Sequence, residues 1–187
     1  MRDQLHIPED QILPLRKQYY AEFGTTLKGL QKYYGVEAEE YLTFVHNVDV
    51  TQFIHVDPTL RQMLVEIPKR KIIFTNADSG HASRVTSALG IADCFEQIVD
   101  VVRMCPFCKP FPQAFEKVME IIGDPEPAHY LLLDDFIHNI EAASQLGMSA
   151  VLVKPGGEIP AGMRRIRRIH DLPTIWNSQT GEFYDSY

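Results

Sequence analysis

The sequence predicts a doubly wound, Rossmann-like α/β protein with a helical module ahead of its parallel sheet. Two observations carry that prediction. From Asp57 onward, short apolar, β-branched runs alternate with helical segments. That spacing calls for parallel strands joined by right-handed crossovers, with helices on both faces. Residues 1 to about 56 instead show helical signals with hardly any strand signal. The composition agrees: 187 residues, 45% hydrophobic and 23% charged, are enough for one buried core and too apolar for a disordered chain.

The elements follow in order. Ile12, Leu13, Leu15, Tyr19, Tyr20 and Phe23 form a rough helical stripe closed by Gly24. Thr25 and Thr26 are N-cap candidates for the next helix, which Gly35 stops. A third helix, over 37–48, has acids in its first turn, favourable to the helix dipole. Five tyrosines fall in this region (Tyr19, Tyr20, Tyr33, Tyr34 and Tyr41), and interhelix packing accounts for most of them. Asp57-Pro58 is a cap followed by proline at the first helical position. Strands are then expected at Lys71–Thr75, Gln97–Val102, His129–Leu133 and Ser149–Val153. The intervening helices are expected to end at Gly90, Gly123 and Gly147. Arg164, Arg165, Arg167 and Arg168 read as a solvated element flanking Ile166 and Ile169, with an anion-binding patch as the alternative.

Several classes are set aside by composition. No run of about 18 apolar residues exists to span a membrane. MRDQLHIPED lacks the apolar core of a signal peptide, which gives a cytoplasmic expectation. Three cysteines do not make a secreted disulfide framework. Eighteen Lys+Arg against 25 Asp+Glu, net −7, argue against a nucleic-acid partner.

In an open parallel sheet, ligands bind beyond the carboxyl ends of the strands. Three segments lie there: Thr75-Asn76-Ala77-Asp78, Cys105 to Pro110, and Asp134-Asp135. An apolar strand running into two adjacent carboxylates concentrates charge where solvation is poor, which a hard divalent cation such as Mg²⁺ would relieve. The plainer alternative is one helix-capping Asp beside a solvated one. Thr75 and Asn76 could bind phosphate oxygens together with N–H groups at the next helix start, or simply cap that helix. Lys109 could neutralise phosphoryl charge, or be a surface lysine. Together, a hydroxyl, a lysine and two carboxylates at successive strand ends form a phosphoryl-transfer inventory.

With those residues in view, the sequence resembles the haloacid dehalogenase (HAD) superfamily. Ile72-Ile73-Phe74-Thr75-Asn76 is similar to its second motif, Lys109-Pro110 to its third, and Leu132-Leu133-Asp134-Asp135 through Asn139 to its fourth. RKQYYAEFGTTLKGL and FTNAD resemble the pyrimidine 5′-nucleotidase branch. The resemblance implies a helical cap at 1–56 and a HAD core at 57–187. It further implies Mg²⁺-dependent hydrolysis of a small phosphorylated metabolite, a nucleoside 5′-monophosphate, through an aspartyl-phosphate. Thr75 and Asn76 would bind the phosphoryl group and Lys109 would stabilise its charge. Asp135 would hold Mg²⁺ with Asp134 assisting. Tyr19, Tyr20, Thr25 and Thr26 would contact the nucleotide.

One departure outweighs the matches. The first HAD motif is an apolar strand ending in Asp-x-Asp, and no Asp-x-Asp occurs in the chain. That strand is expected to be central, between those ending at Thr75 and at Asp134-Asp135. Without it, inner sheet edges stand open and could pair with another chain. Phe111 and Phe136 are smaller departures, each where a polar residue is common. Two rival readings remain: a non-catalytic nucleotide- or phosphate-binding remnant, and a Cys105-Pro-Phe-Cys108 thiol redox protein. A zinc site lacks a full ligand set.

Overall fold

The computed structural model describes residues 1–184. Four helices come first: α1 (Arg2–Leu5), α2 (Glu9–Phe23), α3 (Thr26–Tyr34) and α4 (Ala38–Val45). Helix α2 ends where Gly24 adopts φ +78°, a left-handed conformation that a side chain would strain. Thr25 then caps α3 by accepting a hydrogen bond from the Lys28 N–H at 3.2 Å. Ile12, Leu15, Tyr19 and Phe23, spaced for one side of α2, pack with Ile7 and Leu30. Gly29 permits that approach, since a Cβ there would lie 2.1 Å from Tyr19 Cγ.

The α/β part opens with α5 (Pro58–Glu66), capped by Asp57 Oδ1 accepting from the Leu60 N–H at 2.9 Å. In order follow β1 (Ile72–Phe74), α6 (Ser79–Leu89), β2 (Gln97–Val99), α7 (Pro112–Ile122), β3 (Leu131–Asp134), α8 (Ile137–Gln145), β4 (Ser149–Val153) and β5 (Arg164–Ile166). A short antiparallel pair closes the described chain, β6 (Trp176–Asn177) with β7 (Glu182–Phe183). β1 runs parallel to β2, and β3, β4 and β5 form a second parallel sheet. The alternation of side chains along β4 shows why both faces are covered. Val151 joins Leu60, Met63, Leu64, Leu172 and Trp176 on one side. Ala150 and Leu152 join Phe115, Met119, Ile140 and Ala143 of α7 and α8 on the other.

Two strand expectations are corrected and one unexpected strand is added. β2 ends at Val99 rather than Val102, because the Asp100 carboxylate turns the chain by accepting from the Ser79 and Arg103 N–H groups, each at 2.8 Å. β3 begins at Leu131 rather than His129, since Pro127–His129 is a 3-10 turn. The arginine-rich tail holds a strand: Arg164 and Arg165 are exposed while Ile166 turns into the core and pairs with Val153. One inward residue between two charged ones leaves too little apolar pattern to announce a strand.

The two parallel sheets are not hydrogen-bonded to each other among the described residues, so β1 and β3 each keep one unpaired edge. This is the place where the sequence predicts a gap. All residues of β1 and β3 are half-buried, whereas the centre of β4 is fully buried. No helix is long and apolar enough to cross a membrane among the described residues.

Candidate functional site

The ends of β1 and β3 are joined by one side chain. Lys109, only 6% exposed, donates from Nζ to the Phe74 carbonyl at 2.8 Å and to Asp134 Oδ2 at 2.7 Å. Nζ also lies 4.8 Å from the Phe74 ring centroid, a cation–π contact. The loop carrying Lys109 is held by Asn76, whose side-chain amide donates to the Lys109 carbonyl while its oxygen accepts the Lys109 N–H, both at 2.9 Å. A single Asn thereby satisfies both backbone groups of one residue, which only a flat donor–acceptor amide can do. Thr75 Oγ1 accepts from the Ala77 N–H at 3.0 Å, so its own proton remains for donation. The structure therefore gathers Thr75, Asn76, Lys109 and Asp134 at the carboxyl ends of the strands. The start of α6 is already supplied with anions: Asp78 Oδ1 accepts the His81 N–H and Asp100 Oδ2 the Ser79 N–H, both at 2.8 Å. Two of the N–H groups at that helix start, those of Ser79 and His81, are therefore already engaged by carboxylates of the chain.

The two adjacent aspartates differ. Asp134 is buried and bonded: Oδ1 accepts from the Phe136 N–H and the Asn139 amide at 2.9 Å each, and Oδ2 from Lys109. Asp135 is exposed and carries no hydrogen bond or ion pair among the described residues. Asn139 Oδ1 is buried without a partner, one amide group away from Asp134. A free carboxylate, an unsatisfied amide oxygen and a spare lone pair on Asp134 are hard oxygen donors that suit Mg²⁺, which binds through one or two carboxylates and keeps waters and phosphate for the rest. No group of three or more His, Cys, Asp or Glu is placed to hold a metal by itself among the described residues.

The N-terminal helices rest directly on the lysine loop. A Cβ on Gly24 would sit 2.7 Å from the Lys109 carbonyl and 3.1 Å from Cys108 Sγ. Cys108, 1% exposed, donates from Sγ to the Phe23 carbonyl at 3.2 Å. Burial pushes its thiol up, despite Lys28 and Thr25 nearby. A thiol reactive in redox exchange needs the opposite shift, and Cys105, Cys108 and Cys94 are all free. Of the residues expected near substrate, Tyr20 packs edge-on against Phe136 at 5.0 Å between centroids. Its hydroxyl is raised by burial and by the Asp134 and Asp135 charges. Thr26 and Tyr20 line a groove between α2 and α8 that opens beside Pro110 and Phe136. Thr25 is engaged as the α3 cap, and Tyr19 lies inside the helical core, stacked on Tyr33, away from the groove.

Two features escape sequence reasoning. The role of Asn139 is one: it ends the stretch that resembles the fourth motif, and the first turn of α8 brings it back over the strand end. The other joins the helical part to the core. His46, at the end of α4, contacts the Asp78 carboxylate through Nδ1 and stacks on His81 at 4.4 Å, while Arg84 donates to the His46 carbonyl at 3.0 Å. Nothing in the spacing of His46 and His81 indicates that they meet.

Comparison with known proteins gives a consistent outcome. A family model described as haloacid dehalogenase-like hydrolase matches residues 10–147. Phosphate metabolism protein 8 of Saccharomyces cerevisiae is 30% identical over 163 residues, covering 80% of this chain and 51% of the yeast protein. The chain thus spans about half the length of that curated relative. Among solved structures, YfnB of Bacillus subtilis bound to magnesium superposes with a TM-score of 0.64 at 22% identity, covering 93% of this chain and 86% of that one. A HAD phosphatase from Thermococcus onnurineus gives 0.58 at 21% identity, covering 94% and 79%. The L-2-haloacid dehalogenase of Xanthobacter autotrophicus gives 0.60 at 18%, covering 88% and 81%.

Proposed function

The chain belongs to the haloacid dehalogenase-like hydrolase family, and from that premise we propose that it is the phosphoryl-binding part of a phosphate monoester hydrolase acting on nucleoside 5′-monophosphates. The observation that supports this reading most is Lys109, buried and anchored between Phe74, the residue before Thr75, and Asp134 at the end of β3. A cation and a hydroxyl donor fixed in advance stabilise charge developing on a transferred phosphoryl group without reorganising. Asp135, with Asp134 and the amide oxygen of Asn139, would hold Mg²⁺, which supplies charge neutralisation for the phosphoryl oxygens when bound. The helices over 1–56 serve as the cap of the core at 57–187. The yeast relative's name, a phosphate metabolism protein, and the solved HAD phosphatase are in keeping with a phosphate ester as substrate.

Thr75, Lys109 and Asp135 position and neutralise, but none is an activated nucleophile, and the 187 residues contain no Asp-x-Asp. Turnover therefore requires a nucleophilic carboxylate from outside this sequence, and the chain by itself binds rather than hydrolyses. That second, non-catalytic reading is favoured by the Lys109–Asp134 pair, which is already satisfied within the chain. The test has two arms. Calorimetric binding of inorganic phosphate with Mg²⁺ should weaken roughly tenfold or more in Thr75→Val, the loss of one hydrogen bond to a charged group. Unchanged binding in that variant removes the phosphoryl site. Phosphate release from UMP or CMP by the purified chain should be negligible; release abolished by chelation overturns the binding-only account and leaves the hydrolase assignment standing.

A further inference from the structure

The groove between α2 and α8 has a volume of about 730 Å³. That is within the range of cavities that hold one small ligand, roughly 300–1,000 Å³. Its position is set by the site already described: Pro110 follows Lys109, and Phe136 follows Asp135. The face of α2 turned into it carries Leu13, Arg16, Lys17 and Tyr20, spaced three and four residues apart. The neighbouring face of the same helix, with Ile12, Leu15, Tyr19 and Phe23, carries its packing, so Leu13, Arg16 and Lys17 lie outside that core cluster. Across the groove, Phe136 gives Tyr20 an aromatic partner, while the Glu141 carboxylate is taken up by His138 at 2.8 Å. Arg16 and Lys17 are exposed and form no ion pair with any carboxylate among the described residues. In a chain of net charge −7, a groove lined by Arg16 and Lys17 with Glu141 as the one carboxylate among its lining residues is locally positive.

We propose that the groove receives the organic end of the phosphate monoester, and that Arg16 and Lys17 select substrates whose aromatic ring carries an anionic substituent such as a carboxylate. The inference rests on the phosphoryl site of the proposed function and adds to it the chemistry of the remote end. The ring lies along the Tyr20–Phe136 aromatic pair, which tolerates any flat heterocycle. Arg16 offers a planar fork that matches a carboxylate, with Lys17 as a second, more mobile charge. An uncharged ring gains only the stacking; a carboxylated ring gains both.

The discriminating pair of ligands is uridine 5′-monophosphate and orotidine 5′-monophosphate, which differ by one ring carboxylate. Calorimetry on the 187-residue chain with Mg²⁺ should show the orotidine nucleotide binding about tenfold or more tightly than the uridine nucleotide, the effect of one charge-assisted contact. In the double variant R16Q/K17Q that ratio should collapse to about one. Both positions are exposed on a helix surface, and an unchanged urea midpoint verifies that the variant is folded. Equal affinity of the two nucleotides in the parent chain overturns the inference and leaves the phosphoryl site intact. A ratio that persists in R16Q/K17Q overturns the assignment to these residues. Failure of inorganic phosphate and both nucleotides to bind removes the phosphoryl reading and this inference together.

Discussion

At the scale of single residues, the site is a set of mutual commitments. Lys109 cannot be replaced neutrally, because the Asp134 side chain is buried and Lys109 is its ionic partner. Lys109→Met should therefore cost about 3–5 kcal/mol, the penalty of leaving a buried charge unpaired, and urea unfolding would measure it. A loss below about 1 kcal/mol would mean that the pair contributes to function and hardly to folding. Thr75 and the Asp134-Asp135 pair stand out in the sequence because each ends an apolar run, whereas Lys109 stands out through its Lys-Pro pattern in a loop. The division of labour between the two aspartates was not legible, since adjacent identical residues differ only in what folds against them. Asn76 likewise gives no sign in the sequence that both its amide atoms clamp Lys109 rather than facing a ligand. Tyr19 and Tyr20 look equivalent in the sequence, yet the rotation of about 100° between adjacent helix positions sends Tyr19 into the core and Tyr20 toward the groove.

At the scale of elements, helix boundaries were read well because they depend on local chemistry: Gly24, Gly35, Gly90 and Gly123 all close helices in left-handed conformations. Strand limits were read less well. β2 stops at Val99 through a tertiary event, the capture of two N–H groups by Asp100, and β5 shows only one buried residue. The α2–α3 turn joins the two kinds of information. Its positive φ demands glycine locally, and the 2.7 Å approach to the Lys109 carbonyl demands it again from across the fold. Gly24→Ala should destabilise by roughly 1–3 kcal/mol, more than the exposed-helix value for a strained residue alone. It should also weaken phosphate binding, because the contact displaced is the lysine loop. A stability loss with unaltered binding would uncouple the turn from the site.

At the scale of the whole molecule, acid stability reports on the junction between the N-terminal helices and the core. His81 is held below its ordinary value of 6.5 by burial first, then by the His46 and Arg84 charges, with Asp78 opposing. The folded chain keeps it neutral while the unfolded chain takes up a proton near pH 6.5, so its contribution is complete above that pH and falls as pH drops through it. For Asp78, burial acts upward, yet the His81 N–H and the His46 imidazole outweigh it and hold the carboxyl below the usual range. Asp57 is lowered by the Leu60 N–H, against burial and with help from His170. Those two contributions persist above about pH 4 and are lost on further acidification. The urea midpoint should fall between pH 7.5 and 5.5, and His81→Asn should flatten that fall; an unchanged slope would place the proton uptake elsewhere. The contact between Gly24 and Lys109 has a mechanical consequence as well. The α2–α3 hairpin bears on the same short loop whose lysine spans the two sheets, so the loop acts as a fulcrum. Tilting the hairpin and shifting the lysine's positive charge are one displacement, and whatever fills the groove beneath α2 loads that lever directly.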